Sequence, residues 1–247
     1  MRRARLGRYA GYQLLDYVVE RMLVTLLIVT MTLAPPLLIL RGEKGANWGT
    51  GPGGDEFVAR ILADIAVPVA SLTVLFAIHG IASMDRQKGY FRFLFAKPVH
   101  VAAYYAVDFV VRLGGALAVA LLCAVALTLT SGAPLPLDLV AYVALTYALL
   151  GSIGFLLSAL FQFDGLMLIL VYIGSTLVLQ LRDAYPQWVP LALVRIVPPV
   201  DTLDLARNAW LGGMTTLSNG RMWWAVTYGL LCFIAGLVVL ARKPLSR

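Results

Sequence analysis

Charge is scarce in this chain. Only 13% of its 247 residues are Asp, Glu, Lys or Arg, whereas 60% are hydrophobic. A soluble domain carries about 25% charged residues. Several apolar runs also reach the roughly 18 residues that a membrane-crossing helix requires. The shortage of charge therefore excludes an ordinary soluble domain and predicts a helical integral membrane protein.

Residues that usually perform chemistry are also few. The chain has only two cysteines, Cys123 and Cys232, and two histidines, His79 and His100. The cysteine spacing fits neither a metal site nor a disulfide framework. The sequence contains no H-E-x-x-H motif and no G-x-x-x-x-G-K-[S/T] phosphate loop. We therefore expect no enzymatic activity, no bound metal and no cofactor in this chain.

The apolar runs predict six spans in one transmembrane domain, residues 1–247. An arginine-rich amphipathic helix at residues 1–21 is expected to lie in the membrane interface before the first span. The alternative for these residues is a helical extension of that span. The predicted spans cover residues 22–40, 57–83, 101–129, 137–161, 166–181 and 222–241. Between the fifth and sixth spans, prolines interrupt apolar pieces, which predicts broken helices on the outer side. The expected fold is an all-α polytopic membrane protein.

The distribution of the basic residues predicts the orientation of these spans. Twelve Lys and Arg residues lie on the side of the two termini and of the loop 84–100, and seven lie on the other. The positive-inside rule places the richer side in the cytoplasm. We therefore expect a multi-pass protein of the cell (inner) membrane with both termini cytoplasmic. The net charge of +7 then indicates lipid contacts and not nucleic-acid binding.

The loop at residues 84–100, here called the basic loop, combines cations with aromatic residues. On a helix, Phe91, Leu94 and Phe95 would share one face, and Pro98 would end the helix. An amphipathic helix of this kind can lie on lipid, cover the ends of the chain's own spans, or dock into a groove of a partner. The residue pattern alone does not distinguish among these three locations.

The run DRQKGYFRFLFAKPV, from Asp85 to Val99, resembles the cytoplasmic signature of ABC-2 type permeases. These are the membrane subunits of ATP-binding-cassette exporters with the type V (ABCG-like) fold. The signature consists of an acidic residue, a glycine, an apolar pair, and a proline before an apolar residue; those places are occupied by Asp85, Gly89, Leu94, Phe95, Pro98 and Val99. The segment from Pro198 to Gly213 resembles the helix that precedes the last span in that family.

This resemblance implies that the basic loop is a coupling helix that docks into a separate ATPase subunit, which would bind ATP and magnesium. The residues implied to contact that ATPase are Asp85, Arg86, Lys88, Gly89, Phe91, Arg92, Leu94, Phe95 and Pro98. Six spans are half of what the family uses, so a dimer with a second copy or a related permease is also implied. On physical grounds alone, the aromatic residues could instead seat the loop among the lipid headgroups.

Two charged residues fall inside the third predicted span. Asp108 and Arg112 are four positions apart, so they share a helix face and can pair. They are either a polar element along a translocation route or a structural brace. His79, near the end of the second span, is either a proton relay or a hydrogen-bonded packing residue.

Two other functions fit the same composition. The chain could be a non-catalytic anchor or assembly subunit of a membrane complex, or a membrane-embedded enzyme. The spans also carry small residues that permit close helix packing, and we expect most of them to pack within the chain. The chief examples are Gly114, Gly115, Gly151, Gly154, Gly229 and Gly236.

Overall fold

The structure is a computed structural model. It describes residues 11–15, 17–18, 22–27, 29–31, 54–83, 100–131, 136–161, 163–185, 187, 190, 196–211 and 218–242, with the backbone alone at 54–63, 130 and 131. Within these residues the secondary structure is entirely helical, and none of them lies in a strand. The all-α prediction is therefore confirmed for the described part of the chain.

Within the described residues, seven α-helices and one π-helical turn follow the N-terminal helical residues. They are α1 (Gly54–Ile78), α2 (Val101–Ser131), α3 (Leu137–Thr146), the π turn (Tyr147–Gly151), α4 (Ser152–Leu160), α5 (Asp164–Ala184), α6 (Asp201–Trp210) and α7 (Asn219–Arg242). We call Leu137–Leu160, which joins α3, the π turn and α4, the central span.

In the part of the chain that the structure describes, four helical stretches are long and apolar enough to cross a membrane. They are Val101–Leu129, Leu137–Leu160, Asp164–Ala184 and Asn219–Arg242. The part of α1 from Asp64 to Ile78 is apolar but shorter. Apolar helices suit a bilayer because every backbone N–H and C=O is bonded within the helix. The structure thus supports a membrane protein with four candidate spans, where the sequence predicted six.

Two predicted boundaries differ from the structure. The second span was expected to continue to Ser83, but α1 ends at Ile78 because the backbone turns at Gly80, whose φ is +74°. The sequence predicted the fifth span at residues 166–181, which is shorter than a helix needs to be to cross the bilayer. Helix α5 has 21 residues, from Asp164 to Ala184, because polar residues at both ends continue the helix beyond the apolar run.

The central span lies at the middle of the bundle. Helix α3 packs against α1, α2 and α6, and α4 packs against α5 and α7. Aromatic rings fill the interior where these helices meet. The ring of Phe109 lies 4.9 Å from that of Tyr147 and 4.5 Å from that of Phe233, and Phe155 contacts Phe233 at 5.2 Å.

Glycines allow the helices around the central span to approach closely. A Cβ atom at Gly236 would lie 2.7 Å from the Phe155 ring, and one at Gly154 would lie 2.8 Å from Ile78. Tyr17, in the N-terminal helical segment, packs its ring against Gly115. Gly114, by contrast, faces open space. Most of these small residues therefore pack within the chain, as predicted.

Helix α6 lies in the segment where broken helices were expected. It follows Pro198 and Pro199, and it packs against α3, α1 and α7. Thr202, Leu203 and Ala206 form its buried face. The Tyr228 hydroxyl of α7 donates a hydrogen bond of 2.8 Å to the carbonyl of Ile196, just before this helix. This short helix covers the end of the bundle where the central span begins.

Candidate functional site at the turn before the basic loop

Helix α1 ends in a tight turn directly before the basic loop. The His79 N–H still bonds the Leu75 carbonyl at 2.9 Å, whereas the Ile81 N–H bonds Ile78 at 3.1 Å and no longer follows the helical pattern. Gly80 adopts the left-handed conformation in which glycine is favoured at helix ends. We call residues 79–83 the turn segment. A helix end leaves backbone groups without helical partners, so these must bond elsewhere.

Arg112 of α2 satisfies one of these groups. Its Nη1 donates a hydrogen bond of 2.8 Å to the carbonyl of Ala77, which Ile81 has left without its helical donor. Its Nε donates at 2.9 Å to Oδ2 of Asp108, and both side chains are largely buried. A cation at a helix C-terminus interacts favourably with the helix dipole. Arg112 therefore links α2 to the last turn of α1, and Asp108 neutralises and orients it.

Ser158 of α4 satisfies two further groups. Its fully buried hydroxyl oxygen accepts the N–H of Ala82 at 3.0 Å and the N–H of Ser83 at 3.1 Å. Both residues are themselves buried. Because an unpaired backbone N–H is costly in an apolar interior, one hydroxyl from the central span fixes the part of the turn segment nearest the basic loop.

Asp164, the first residue of α5, holds the turn segment from a third helix. Its Oδ2 accepts the Gly80 N–H at 2.8 Å, and its Oδ1 lies 3.4 Å from His79 Nδ1. The Asp164 side chain is 2% exposed, whereas that of His79 is 51% exposed. A bond from N–H to a carboxylate is stronger than one to a neutral acceptor. Asp164 therefore ties the turn segment to the start of α5.

Helices α2, α4 and α5 thus each supply a polar side chain to the end of α1. Every contact is a direct hydrogen bond or a close charge contact between buried or half-buried groups. Such an arrangement resists displacement of the turn segment, because moving it would leave several polar groups unpaired in an apolar interior. Among the described residues, no group of three His, Cys, Asp or Glu side chains could hold a metal ion.

The residues singled out from the sequence fall into two groups. Asp108 and Arg112 lie in the described part and form the ion pair that their spacing permits. The nine basic-loop residues lie outside the described residues, and their predicted contacts stay predictions. They are Asp85, Arg86, Lys88, Gly89, Phe91, Arg92, Leu94, Phe95 and Pro98.

Sequence reasoning missed Ser158 and Asp164. Asp164 had one local signal, a carboxylate at the start of an apolar helix, where the helix dipole favours negative charge. A serine in an apolar run has none, since such residues commonly bond their own helix. Their partners lie 75 to 84 positions earlier in the chain. For His79 the sequence allows a proton relay or a packing residue, and the structure shows its side chain half exposed beside Asp164.

Comparisons with known proteins give no family assignment. No protein-family model matches the chain, and neither the curated proteins nor the solved structures include a significant match.

Proposed function

We propose that this chain is the membrane-spanning permease subunit of an ATP-binding-cassette exporter. A separate ATPase subunit would hydrolyse ATP with its own bound magnesium, and this chain would convert the resulting movement into translocation of a cargo. The observation that carries the proposal is the attachment of the last turn of α1 and the turn segment, taken together, to three other helices. The loop that follows it directly resembles a coupling helix.

The attachments suggest how a push on the basic loop would reach the membrane. The loop begins one residue after Ser83, whose N–H is bonded to the central span. Gly80 is bonded to α5, and Ala77 is bonded to α2. A displacement of the loop would therefore act at once on three helices, and it would not be absorbed by a flexible connection. This is the mechanical property that a coupling element needs.

The proposed assembly extends the four described candidate spans to six, with residues 22–40 and α1 as the first two. Both termini and the basic loop would face the cytoplasm, in the cell membrane. Two copies, or one copy and a related permease, would form the complete pore. Exposed apolar side chains on α2, α5 and α7 are consistent with contacts to lipid or to another permease.

Affinity purification tests the proposal. The chain, solubilised from its own cells with a mild detergent, should bring down an ATPase subunit. Adding the chain should change the rate of ATP hydrolysis by that subunit. A double substitution in the loop, Phe91→Ala with Leu94→Ala, should abolish binding, because buried apolar anchors dominate interfaces of this kind. Ser158→Ala should keep binding but weaken the change in ATPase rate.

The outcomes separate the competing functions. If an ATPase binds but its rate does not change, the chain is an anchor or assembly subunit. If no ATPase binds to the intact chain, the permease proposal is wrong. If the loop double variant still binds the ATPase, the loop does not dock as a coupling helix. That result would favour the alternative in which the aromatic residues of the loop lie among the lipid headgroups.

A further inference from the structure

The central span contains a five-residue π turn, Tyr147–Gly151, between two α-helical halves. A π turn has one residue more than the α-helical turn it replaces, and such turns are rare and occur frequently at functional sites. The backbone is helical on both sides of it, with Thr146 and Ser152 in ordinary α conformation. The turn is thus an added residue within one helix and not a break between two helices.

Two glycines make room for the widened backbone. On one side, Gly229 of α7 packs directly against the carbonyl of Ala148, where any side chain would collide with backbone. On the other side, a Cβ atom on Gly151 would lie 2.8 Å from Cδ1 of Ile78, the last residue of α1. Gly229 is the more restrictive, because backbone cannot rotate away as a side chain can.

The two halves of the central span are attached to opposite ends of the bundle. The α4 half carries Ser158, which holds the turn segment. The α3 half packs against α6 and α2. At the junction, the Tyr147 hydroxyl donates a hydrogen bond of 2.8 Å to the Phe109 carbonyl, which ties the start of the π turn to α2.

We propose that the π turn is a joint through which movement of the turn segment reaches the α3 and α6 end of the bundle, an inference that rests on the proposed permease function. If the turn became α-helical with α3 held in place, α4 would rotate by about 100° and shift by about 1.5 Å along its axis. Ser158 would then leave the N–H groups of Ala82 and Ser83. Conversely, displacement of those groups would move Ser158 and α4 with them and change the π turn. That change would act on α2 through the Tyr147 hydrogen bond and on α3, which packs against α6.

A single-residue deletion tests the joint. Deleting Ala148 removes the added residue, so α3 and α4 become one continuous α-helix and Ser158 keeps its position. Deleting Ala120, in the continuous helix α2, provides the control. Helix α2 has no added residue to lose, so this deletion rotates one half of it by about 100° against its neighbours. Thermal stability of the purified chain and stimulation of the co-purified ATPase are measured for both.

We expect the Ala148 deletion to fold and to bind the ATPase, but to leave its rate at that of the ATPase alone. The Ala120 deletion should not fold. Full stimulation by the Ala148 deletion would overturn the joint while leaving the permease proposal intact. Loss of folding comparable to that of the Ala120 deletion would overturn the added-residue interpretation, whether or not an ATPase binds the intact chain.

A second variant tests the part played by Gly229. Gly229→Ala forces the Ala148 carbonyl away and should lower the thermal midpoint of the chain. Combining it with the Ala148 deletion should restore much of that loss, because a continuous α-helix no longer presses its widened backbone on α7. A double variant less stable than either single variant would contradict the proposal, and this arm requires no ATPase.

Discussion

The central span and its two neighbours, α5 and α7, differ in surroundings although all three are apolar helices of similar length. In the most apolar stretch of the central span 78% of the residues are buried, compared with 22% in α5 and in α7. Strong apolar character therefore makes a helix suitable for crossing a membrane but does not determine its position in the bundle. Lipid is as apolar as a leucine side chain, so it offers no hydrophobic driving force for helix association.

The contacts around the central span, here called the central region, differ from those of α5 and α7 because they include close aromatic packing and hydrogen bonds between buried polar groups. Phe155 is fully buried among aromatic rings, and Ser158 and Arg112 bond backbone groups of α1. The exposed faces of α5 and α7 instead carry aliphatic side chains such as Leu170 and Ile234. Close packing and paired polar groups stabilise helix association in lipid. Substitutions in the central region should therefore cost far more than similar substitutions on those faces.

The largest effect is expected for Arg112→Ala. Removing one partner of a buried ion pair costs about 3–5 kcal/mol, because the other charge is left buried and unpaired. Here the Ala77 carbonyl also loses its donor. The control is Arg182→Ala on α5, whose pair with Asp183 is solvent-exposed and should contribute at most about 1 kcal/mol. Unfolding in mixed detergent measures both, and equal losses would contradict the contrast between the two regions.

A matched pair of apolar truncations should give the next largest effect. Phe155→Ala leaves a cavity in the aromatic cluster and should cost on the order of 2–3 kcal/mol, below the soluble-protein range because transfer to lipid is nearly neutral. Ile234→Ala, on an exposed face of α7, should change the free energy of unfolding little in the isolated chain. A large loss for Ile234→Ala in the isolated chain would mean that α7 is packed on that face after all.

A smaller effect is expected for Ser158→Ala. The N–H groups of Ala82 and Ser83 would lose their acceptor, at a cost of about 1–3 kcal/mol for unpaired buried donors. Ser175→Ala on α5 is the control, because that hydroxyl bonds the Val171 carbonyl of its own helix and not a neighbouring described helix. Hydrogen exchange of the turn segment should rise for Ser158→Ala alone. Unchanged exchange would show that other contacts hold this segment.

The smallest effect is expected for His79→Gln. His79 is half exposed, and its contact with Asp164 should contribute less than about 1 kcal/mol. Gly80→Ala, at the adjacent position, should cost about 1–2 kcal/mol, because a side chain is strained at a φ of +74°. If His79→Gln is the more damaging of the two, the His79–Asp164 contact and not the backbone of the turn would hold the end of α1.

Local features of the sequence were sufficient for part of this description. The scarcity of charge and the length of the apolar runs predicted helices that can cross a membrane. The four-residue spacing of Asp108 and Arg112 predicted their pair, because residues so spaced meet on any α-helix. Positions such as Gly151, Gly229 and Gly236 indicated close packing. Each inference depends only on neighbours along the chain.

Other features depend on which helices meet. The end of α1 at Ile78 required Gly80 together with acceptors from α4 and α5, and the apolar run itself continued past it. The same reasoning applies to the π turn, because its five residues carry no local pattern that separates them from the flanking α-helix. The wider backbone of the π turn fits because Gly229, which packs against Ala148, has no side chain. Gly229 lies 81 positions after Ala148 in the chain.

Composition, the length of the apolar runs and residue spacing therefore predict helices suited to lipid and the pair of Asp108 with Arg112. The packing of the helices against one another sets which apolar helix is central and which polar groups meet at the turn before the basic loop. The physical reason is that most backbone N–H and C=O groups of a helix in lipid form hydrogen bonds within that helix. The N–H and C=O groups at its end lack such partners and must bond groups on other helices. Those partners are chosen by packing, and packing joins residues that are far apart in the chain.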